Sequence, residues 1–334
     1  MAVILTGRTH QELLSQAVDL VEATGEKVDP DLSESNLGKF EYQEVNNVIL
    51  QLEDAKARVV SAPDFDLGRA ILRSLWILAG ADDIDGLKPL FHSVDRFSDD
   101  GSTLTGSAVG ARLLSHRQKN GDAPQIEGIM DRLRYYPTTR RATAVIYEPR
   151  DATRHSVDIP CLLSLTWQRR DDRLQCTSVM RANNVIRLLP YNIFEYTMLA
   201  ECIASELNIN VGTHHHHAIS MHAYEPDFGR LQDVRNEIAT SAAPQSMRPM
   251  PREEGAIEMA GRAYTYLVEF LSRIDHANRQ KSLDVIHEAR GELDDYWYSL
   301  VHEVAKASAR SRRSQPLEDS LTRDSLVPTN GAFS

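Results

Sequence analysis

The stretch of sequence that decides the fold runs from Ile159 to Tyr196 and reads IPCLLSLTWQRRDDRLQCTSVMRANNVIRLLPYNIFEY. Apolar and polar residues alternate over 159–167 and again over 174–179, on either side of the polar run RRDDR. This alternation is typical of half-buried strands, so the two segments predict an antiparallel β-hairpin. Apolar residues then recur at helical spacing over 190–207, with a proline at the start, and predict a long buried helix.

The hairpin brings a cysteine and an arginine together. Cys161 and Arg181 each lie ten residues from Asp171, so they face each other if the hairpin turns around that residue. Directly opposed residues of an antiparallel pair have Cβ atoms roughly 4.5–5.5 Å apart. A guanidinium at that range lowers the pKa of a thiol and stabilises the thiolate, the nucleophilic form of cysteine. The pairing alone leaves a second interpretation open, a buried cysteine beside a surface arginine.

Segments on both sides of the hairpin predict further helices and strands. Their spacing predicts helices over 11–26, 67–80, 126–136, 232–239, 257–273 and 281–309, and strands over 45–52, 57–61, 142–148 and 210–224. A proline- and methionine-rich linker precedes the last two helices. We therefore predict a main domain over 1–255, a helical extension over 256–310 and a disordered polar tail over 311–334.

The composition is that of a globular protein and argues against several functions. The 334 residues are 42% hydrophobic and carry a formal net charge of −11. An acidic chain argues against a nucleic-acid-binding surface, which needs an excess of lysine and arginine. No apolar run approaches the ~18 residues of a membrane span, and the first residues lack a secretory signal pattern. Three cysteines cannot all pair in disulfides, so we expect a protein of the reducing cytoplasm.

Several motifs in register resemble the thymidylate synthase family, from about residue 45 to 230. The motifs are the Pro-Cys pair at 160–161, an arginine about 20 residues later at 181, Pro-Tyr-Asn-Ile at 190–193, the pair His222 and Tyr224, LRSLWILAG at 72–80 and PTTRR at 137–141. The resemblance implies an α+β fold in which a large mixed sheet forms the dimer interface and helices pack on the sheet. It also implies that residues 1–255 form the catalytic domain.

The resemblance implies covalent chemistry on a pyrimidine nucleotide. Cys161 would add as a thiolate to C6 of the ring and turn C5 into a nucleophile, which divides one difficult step into two. Arg181 would hold the charge of the cysteine and contact the substrate phosphate. Arg140 and Arg141 would reach the same phosphate from the second subunit of a homodimer; a solvated basic turn is their alternative interpretation.

Further positions are implied to bind the nucleotide and a folate. Asn192 would read the pyrimidine edge with its amide, although a plain helix-start residue remains the alternative. His222 and Tyr224, at i and i+2 of one strand, face the same side. In the family such a pair binds the sugar hydroxyls, whereas aromatic residues at the edge of the core are the alternative. Trp76 and Asn184 fall at positions that the family uses for its folate.

The sequence departs from the family pattern at four places. The serine after the phosphate arginine is Ala182, which removes a hydroxyl and leaves room that a ribose 2′-hydroxyl could use. The aspartate that meets the folate is Asn184, and the Val-Tyr-Gly loop reads Ala-Val-Gly at 108–110. The helix glutamate that relays protons in the family falls at Arg73, so another acid must serve or the reaction differs.

These departures affect folate handling and the last steps, and they favour a hydroxymethylase. We predict a CMP 5-hydroxymethylase that uses 5,10-methylenetetrahydrofolate and no metal, similar to the cytidylate hydroxymethylases of nucleoside-antibiotic pathways. Glu201 or Asp99 would supply the missing acid. The alternatives are a C5-methylase of dUMP or UMP, a dCMP hydroxymethylase, and a non-catalytic nucleotide-binding homologue, which the arginine at position 73 favours.

Four consecutive histidines, His214–His217, raise the question of a metal site. Alternate residues of a strand face opposite sides, so the four side chains divide into two pairs. A zinc site needs three or four converging ligands, and no cysteine or carboxylate cluster lies nearby in sequence. The resemblance implies that this strand borders the folate cleft, so we expect the run to serve in packing or binding there.

Overall fold

The computed structural model describes residues 2–29, 40–115, 123–242, 246–273 and 279–311, with the backbone alone at 279–283 and 311. The predicted polar tail lies outside these ranges except for residue 311, which ends the last helix. Within the described ranges, each helix is too short or too polar to cross a membrane.

A mixed β-sheet forms the scaffold of the described chain. Its strands are β1 Val3–Gly7, β2 Glu26–Val28, β3 Tyr42–Leu52, β4 Thr143–Val145, β5 Leu162–Arg170, β6 Arg173–Met180, β7 Asn183–Asn184 and β8 Asn210–Tyr224. They lie in the order β1-β3-β8-β6-β5-β4, while β2 pairs with β3 and β7 pairs with β8. β8 runs parallel to β6 and antiparallel to β3. The predicted mixed sheet is therefore confirmed.

Helices cover one face of this sheet. They are α1 His10–Thr24, α2 Leu67–Leu78, α3 Gln125–Tyr135, α4 Leu189–Glu206, α5 Phe228–Thr240, α6 Ala256–Arg273, α7 Arg279–Glu292 and α8 Asp295–Ser311. The covered face shows in β8, where His214, His216 and Ala218 are buried while the residues between them are half-buried or exposed. α4 is buried along nearly its whole length, as its continuous apolar sequence predicts.

The C-terminal helices belong to the same hydrophobic core as α2 and α4. Trp297 and Val301 of α8 and Leu267 of α6 lie in one cluster with residues of both earlier helices. α8 approaches α2 closely at Gly68, where an added Cβ would lie 2.3 Å from the Cβ of Ala307. Glycine permits this contact because it has no side chain. The boundary between 1–255 and 256–310 remains a prediction.

Several predicted elements differ from those observed. The single helix predicted over 281–309 is two helices, because Asp294 caps a new one: its Oδ1 accepts the backbone N–H groups of Tyr296 at 2.8 Å and Trp297 at 3.0 Å. The strand predicted over 57–61 is absent from the described chain, where this segment is irregular. Its carbonyl at Ala57 instead accepts the backbone N–H that opens α1 at His10.

Candidate active site

The hairpin of β5 and β6 pairs the cysteine with the arginine. The turn residues Asp171 and Asp172 have φ of 47° and 60°, the left-handed values of a tight two-residue hairpin turn. A register shift near the start of β5 then displaces the pairing by one residue. As a result the Arg181 backbone N–H donates to the Cys161 carbonyl at 2.8 Å. The predicted pairing of Cys161 with Arg181 is confirmed. The turn is centred on two residues and not on Asp171 alone, which by itself would offset the pairing by one residue, and the register shift in β5 reverses that offset.

The Cys161 thiol is half-buried, and its surroundings do not favour the thiolate. The Arg181 guanidinium donates through Nε to the Pro160 carbonyl at 2.9 Å and through Nη2 to the Ile159 carbonyl at 3.1 Å. Burial raises the pKa of the thiol; Arg181 lowers it and the carboxylate of Asp158 raises it further. The net direction is upward, so the expected lowered pKa is wrong for this state of the protein. The guanidinium offsets only part of the cost of removing the thiolate from water.

The predicted sugar pair lies near the same hairpin end. The rings of His222 and Tyr224 meet edge to face with centroids 5.0 Å apart, and Tyr42 of β3 contacts both. Burial lowers the pKa of His222 to about 4, which keeps the imidazole neutral at physiological pH. Burial and then the nearby Cys161 raise the pKa of Tyr224, and Arg181 acts on it in the opposite direction. The structure therefore brings four predicted site residues into one neighbourhood.

Sequence reasoning missed a carboxylate in this neighbourhood. Glu44 of β3 lies opposite His222 in the antiparallel register and accepts the Ser220 hydroxyl at 2.5 Å through Oε2. Alternate residues of a strand share a face, so the sequence places Tyr42 and Glu44 on one face of β3. The sequence does not indicate, however, that β3 pairs with β8. Only the pairing of distant strands reveals the contact.

Two asparagines flank the start of α4. Asn192 is buried in the first turn of the helix, after Pro190. Asn184 uses its Oδ1 to accept the backbone N–H groups of Ile186 at 3.0 Å and Arg187 at 2.7 Å, which shapes the turn into α4. Its Nδ2 is buried and has no hydrogen-bond partner among the described residues. Such an orphaned donor is unusual and fits a ligand that offers an acceptor.

An ion pair with a buried carboxylate joins α2 to α4 at Arg73, the position where the resemblance implies a glutamate. Arg73 Nε lies 2.7 Å from Glu195 Oε1, and the side chains are 25% and 1% exposed. Burial raises the pKa of Glu195 to about 7, although Arg73 acts to lower it. Glu195 follows Asn192 by three residues, so the two lie on one side of α4. Arg73 of α2 thus lies beside an acid, Glu195, which α4 contributes.

The two acids predicted from the sequence are engaged elsewhere. Glu201 forms a buried ion pair with Arg58 and accepts the backbone N–H of Met250 at 3.0 Å. Asp99 accepts the Ser156 hydroxyl at 2.6 Å and the backbone N–H of Val157 at 2.9 Å. Glu195, which sequence reasoning missed, is instead the acid paired with the arginine. The sequence signal that could have identified Glu195 is its position as a charged residue within the otherwise largely apolar run NIFEY.

The remaining predicted residues have different environments. Trp76 is 2% exposed and donates from its indole nitrogen to the Asp83 carbonyl at 2.9 Å. Ala182 is half-buried directly after the paired arginine. Arg140 and Arg141 are exposed in the turn before β4. Among the described residues of one chain, no hydrogen bond or ion pair links these two side chains to the cysteine hairpin.

The histidine run forms a hydrogen-bonded network on its buried side. The Ser178 hydroxyl lies 2.9 Å from Nδ1 of His216 and 3.3 Å from Nε2 of His214. His216 also contacts Oδ1 of Asn183 at 2.7 Å through Nε2. Burial lowers the pKa of both histidines. In the part of the chain that the structure describes, no group of three or more histidine, cysteine or acidic side chains is placed to hold a metal ion.

Together these features define a class of protein: a mixed-sheet α+β fold with a cysteine–arginine pair at a hairpin end, next to a histidine–tyrosine pair. The chain belongs to the thymidylate synthase family, whose model, described as thymidylate synthase, matches residues 44–253. This match covers the sheet from β3 onward, the hairpin and α4.

Individual relatives agree with this assignment. The chain is 28% identical over 168 residues to the deoxyuridylate hydroxymethyltransferase of Bacillus phage SP01, covering 48% of this chain and 44% of that protein. The chain spans about half the length of the curated relatives it matches. A thermostable thymidylate synthase A from Bacillus subtilis has a similar fold, with a TM-score of 0.62 and 16% identity over 75% of this chain and 91% of that one.

Proposed function

We propose that this protein is a one-carbon transferase that acts on C5 of a pyrimidine nucleotide, and specifically a CMP 5-hydroxymethylase. The observation that carries the proposal is the pairing of Cys161 with Arg181 next to His222 and Tyr224. A pure binding protein needs no nucleophile at this position. The proposed setting is a homodimer in the cytoplasm.

In the proposed reaction, the Cys161 thiolate bonds to C6 of the ring, and the electron pair gained at C5 attacks a one-carbon unit. 5,10-Methylenetetrahydrofolate supplies that unit at the oxidation level of formaldehyde. Loss of the C5 proton and cleavage of the bond between the transferred carbon and the folate nitrogen would release tetrahydrofolate and leave a methylene on C5. Water would add to this methylene, and release of the Cys161 thiolate from C6 would give 5-hydroxymethyl-CMP. Because burial raises the pKa of the thiol, Cys161 must lose its proton as the nucleotide binds or the bond forms.

Glu195 is the group proposed to move protons in this cycle. It is a buried carboxylate with a pKa of about 7, a value suited to both accepting and returning a proton near neutral pH. Arg73 holds it in place and stabilises its charged form. The pair would thereby replace the glutamate that the family places at position 73.

The nucleotide is proposed to contact residues on several elements. Arg181 binds the phosphate together with Arg140 and Arg141 from a second copy of the chain, because exposed arginines offer forked donors to phosphate. His222 and Tyr224 bind the sugar hydroxyls, and the amide of Asn192 reads the base.

The folate is proposed to lie against α2 and the turn before α4. The buried and unpartnered Nδ2 of Asn184 fits an acceptor on the pterin ring. Trp76 presents little surface, so its contribution would be to the wall behind the folate.

A second candidate is the same transfer to a uracil nucleotide. The phage relative is named for deoxyuridylate, and an amide such as Asn192 presents either a donor or an acceptor to a base. A methylase of dUMP or UMP is the further alternative.

The proposal is tested by incubating the protein with 5,10-methylenetetrahydrofolate and, separately, CMP, dCMP, UMP and dUMP. We expect a hydroxymethylated product from CMP by mass spectrometry, without the absorbance rise that dihydrofolate formation produces. Cys161→Ser should abolish the product and the exchange of the C5 hydrogen with solvent, while Cys202→Ser, which changes a buried cysteine of α4, serves as the control. Absence of C5 exchange with all four nucleotides would refute catalysis.

A further inference from the structure

A polar patch on β3 and β8 adjoins the proposed sugar-binding pair. Glu44 lies directly opposite His222 in the antiparallel register, and Tyr42 lies opposite Tyr224. Directly opposed residues of neighbouring strands project from the same face of a sheet. The carboxylate of Glu44 therefore lies on the face that carries His222 and Tyr224.

Glu44 is held in place but retains capacity to accept hydrogen bonds. The Ser220 hydroxyl donates to Oε2 at 2.5 Å, which fixes the carboxylate against β8. The other oxygen, Oε1, has the Asn46 amide at 3.5 Å, the outer limit for a hydrogen bond. Glu44 is half-buried, so its remaining acceptor positions are open to a ligand on this face.

The chemistry of a carboxylate restricts which part of a nucleotide it would contact. An ionised carboxylate accepts hydrogen bonds and donates none, and it repels a phosphate. The sugar hydroxyls are donors, and a ribose offers two adjacent ones where a deoxyribose offers one. Neutral His222 has one donor and one acceptor, and the donor is engaged by the backbone of Ser220, so a single acceptor is left for a sugar hydroxyl. An additional acceptor beside it would therefore distinguish the two sugars.

We propose that Glu44 is a specificity-determining residue that accepts a hydrogen bond from the ribose 2′-hydroxyl and selects ribonucleotides over deoxyribonucleotides. Ser220 is the positioning residue that holds Glu44, and Ala182 leaves space for the additional hydroxyl. This inference rests on the proposed nucleotide site, and it names the sugar class that the site takes.

The test measures dissociation constants of CMP, dCMP, UMP and dUMP by calorimetry for the wild-type protein and Glu44→Ala. Loss of a charge-assisted hydrogen bond weakens binding about tenfold or more. We expect that loss for CMP and UMP, with the two deoxyribonucleotides changed little. Ser220→Ala should also reduce the preference for ribose, but to a smaller degree, because the carboxylate stays and only its positioning contact is lost. This variant therefore tests the proposal even if Glu44→Ala folds poorly.

Glu41→Ala is the matched control, because Glu41 is an exposed glutamate just before the same strand. An equal loss for ribo- and deoxyribonucleotides, or an unchanged ratio in both variants, would overturn the role of Glu44. If the wild-type protein binds none of the four nucleotides, the proposed function itself fails. Wild-type binding without a ribose preference would refute only the inference about Glu44.

Discussion

At the scale of single residues, burial is the largest influence on the pKa of Cys161 and of Glu195, the two groups proposed to react. The Cys161 thiol lies beside a guanidinium, yet its pKa is raised because burial outweighs that attraction. Glu195 shows the same balance, with burial opposing Arg73. Both groups therefore remain protonated to a higher pH than in water.

The first prediction concerns the reactivity of Cys161. At neutral pH, iodoacetamide should modify it more slowly than a free cysteine, because only the thiolate reacts. Arg181→Gln should slow the reaction further, since the guanidinium is the group that lowers the thiol pKa. Rates are measured from the masses of the modified peptides over a range of pH. Cys161 modification as fast as that of a low-pKa cysteine would contradict the structure.

The second prediction concerns stability and pH at Glu195. Because the pKa is raised from 4.5 to about 7, the folded protein holds a proton that the unfolded chain releases. The stabilising contribution is full below the unfolded pKa and is lost as the pH rises through the folded one. Relative to Glu195→Gln, the wild-type free energy of unfolding should fall by at most about 3 kcal/mol across this window. Urea titrations at several pH values measure this difference.

The matched control for that series is Glu225→Gln, which changes an exposed glutamate. Its pH profile should parallel that of the wild-type protein. Parallel profiles for wild type and Glu195→Gln would show that the carboxyl is not buried in the protonated form.

At the scale of elements, local sequence predicted the helices and strands whose hydrophobic pattern is long and regular. The strand predicted over 210–224 has the observed bounds, and the hairpin and α4 lie close to prediction. The short strand β1 was missed because VILTG carries too few residues to show a period. The contact of Arg73 with Glu195 was missed for a different reason. It depends on how α2 packs against α4, and no local pattern encodes that arrangement.

The third prediction concerns the N-cap of α8. Asp294→Ala removes the acceptor for two backbone N–H groups and should lower the free energy of unfolding by about 1 kcal/mol. Asp294→Asn is the matched variant, because asparagine caps as well as aspartate does. It should be neutral or slightly stabilising, since burial and then the neighbouring Asp294 raise the pKa of Glu253, and asparagine removes the second carboxylate. Equal destabilisation by both variants, measured by thermal unfolding, would rule out the cap.

At the scale of the whole molecule, the C-terminal helices are part of the main core. α6 and α8 pack on α2, the helix that carries Arg73 and Trp76. The close approach at Gly68 leaves no space for a side chain. The position of these two proposed site residues therefore depends on helices that follow them by about two hundred residues.

The fourth prediction follows from this packing. A chain ending at residue 255 should lose cooperative thermal unfolding, because α2 would expose apolar residues that α6 and α8 bury. A chain ending at residue 311 retains these helices and is the control. Calorimetry compares the two with the full-length protein. A sharp transition for the shorter chain would show that 1–255 folds independently.

The register shift at the start of β5 makes the pairing of Cys161 with Arg181 sensitive to the spacing of residues along the two strands. Leu163 is the extra residue between the pairs Leu162–Met180 and Ser164–Val179, so its deletion would leave Cys161 opposite Arg181. Deleting a residue of β6, such as Thr177, would also leave every atom of the cysteine and the arginine in the chain, but it would move Arg181 one position along the ladder. After that second deletion, Cys161 would lie opposite a different residue. The proposed activity thus depends on the spacing of residues along both strands as well as on their identity.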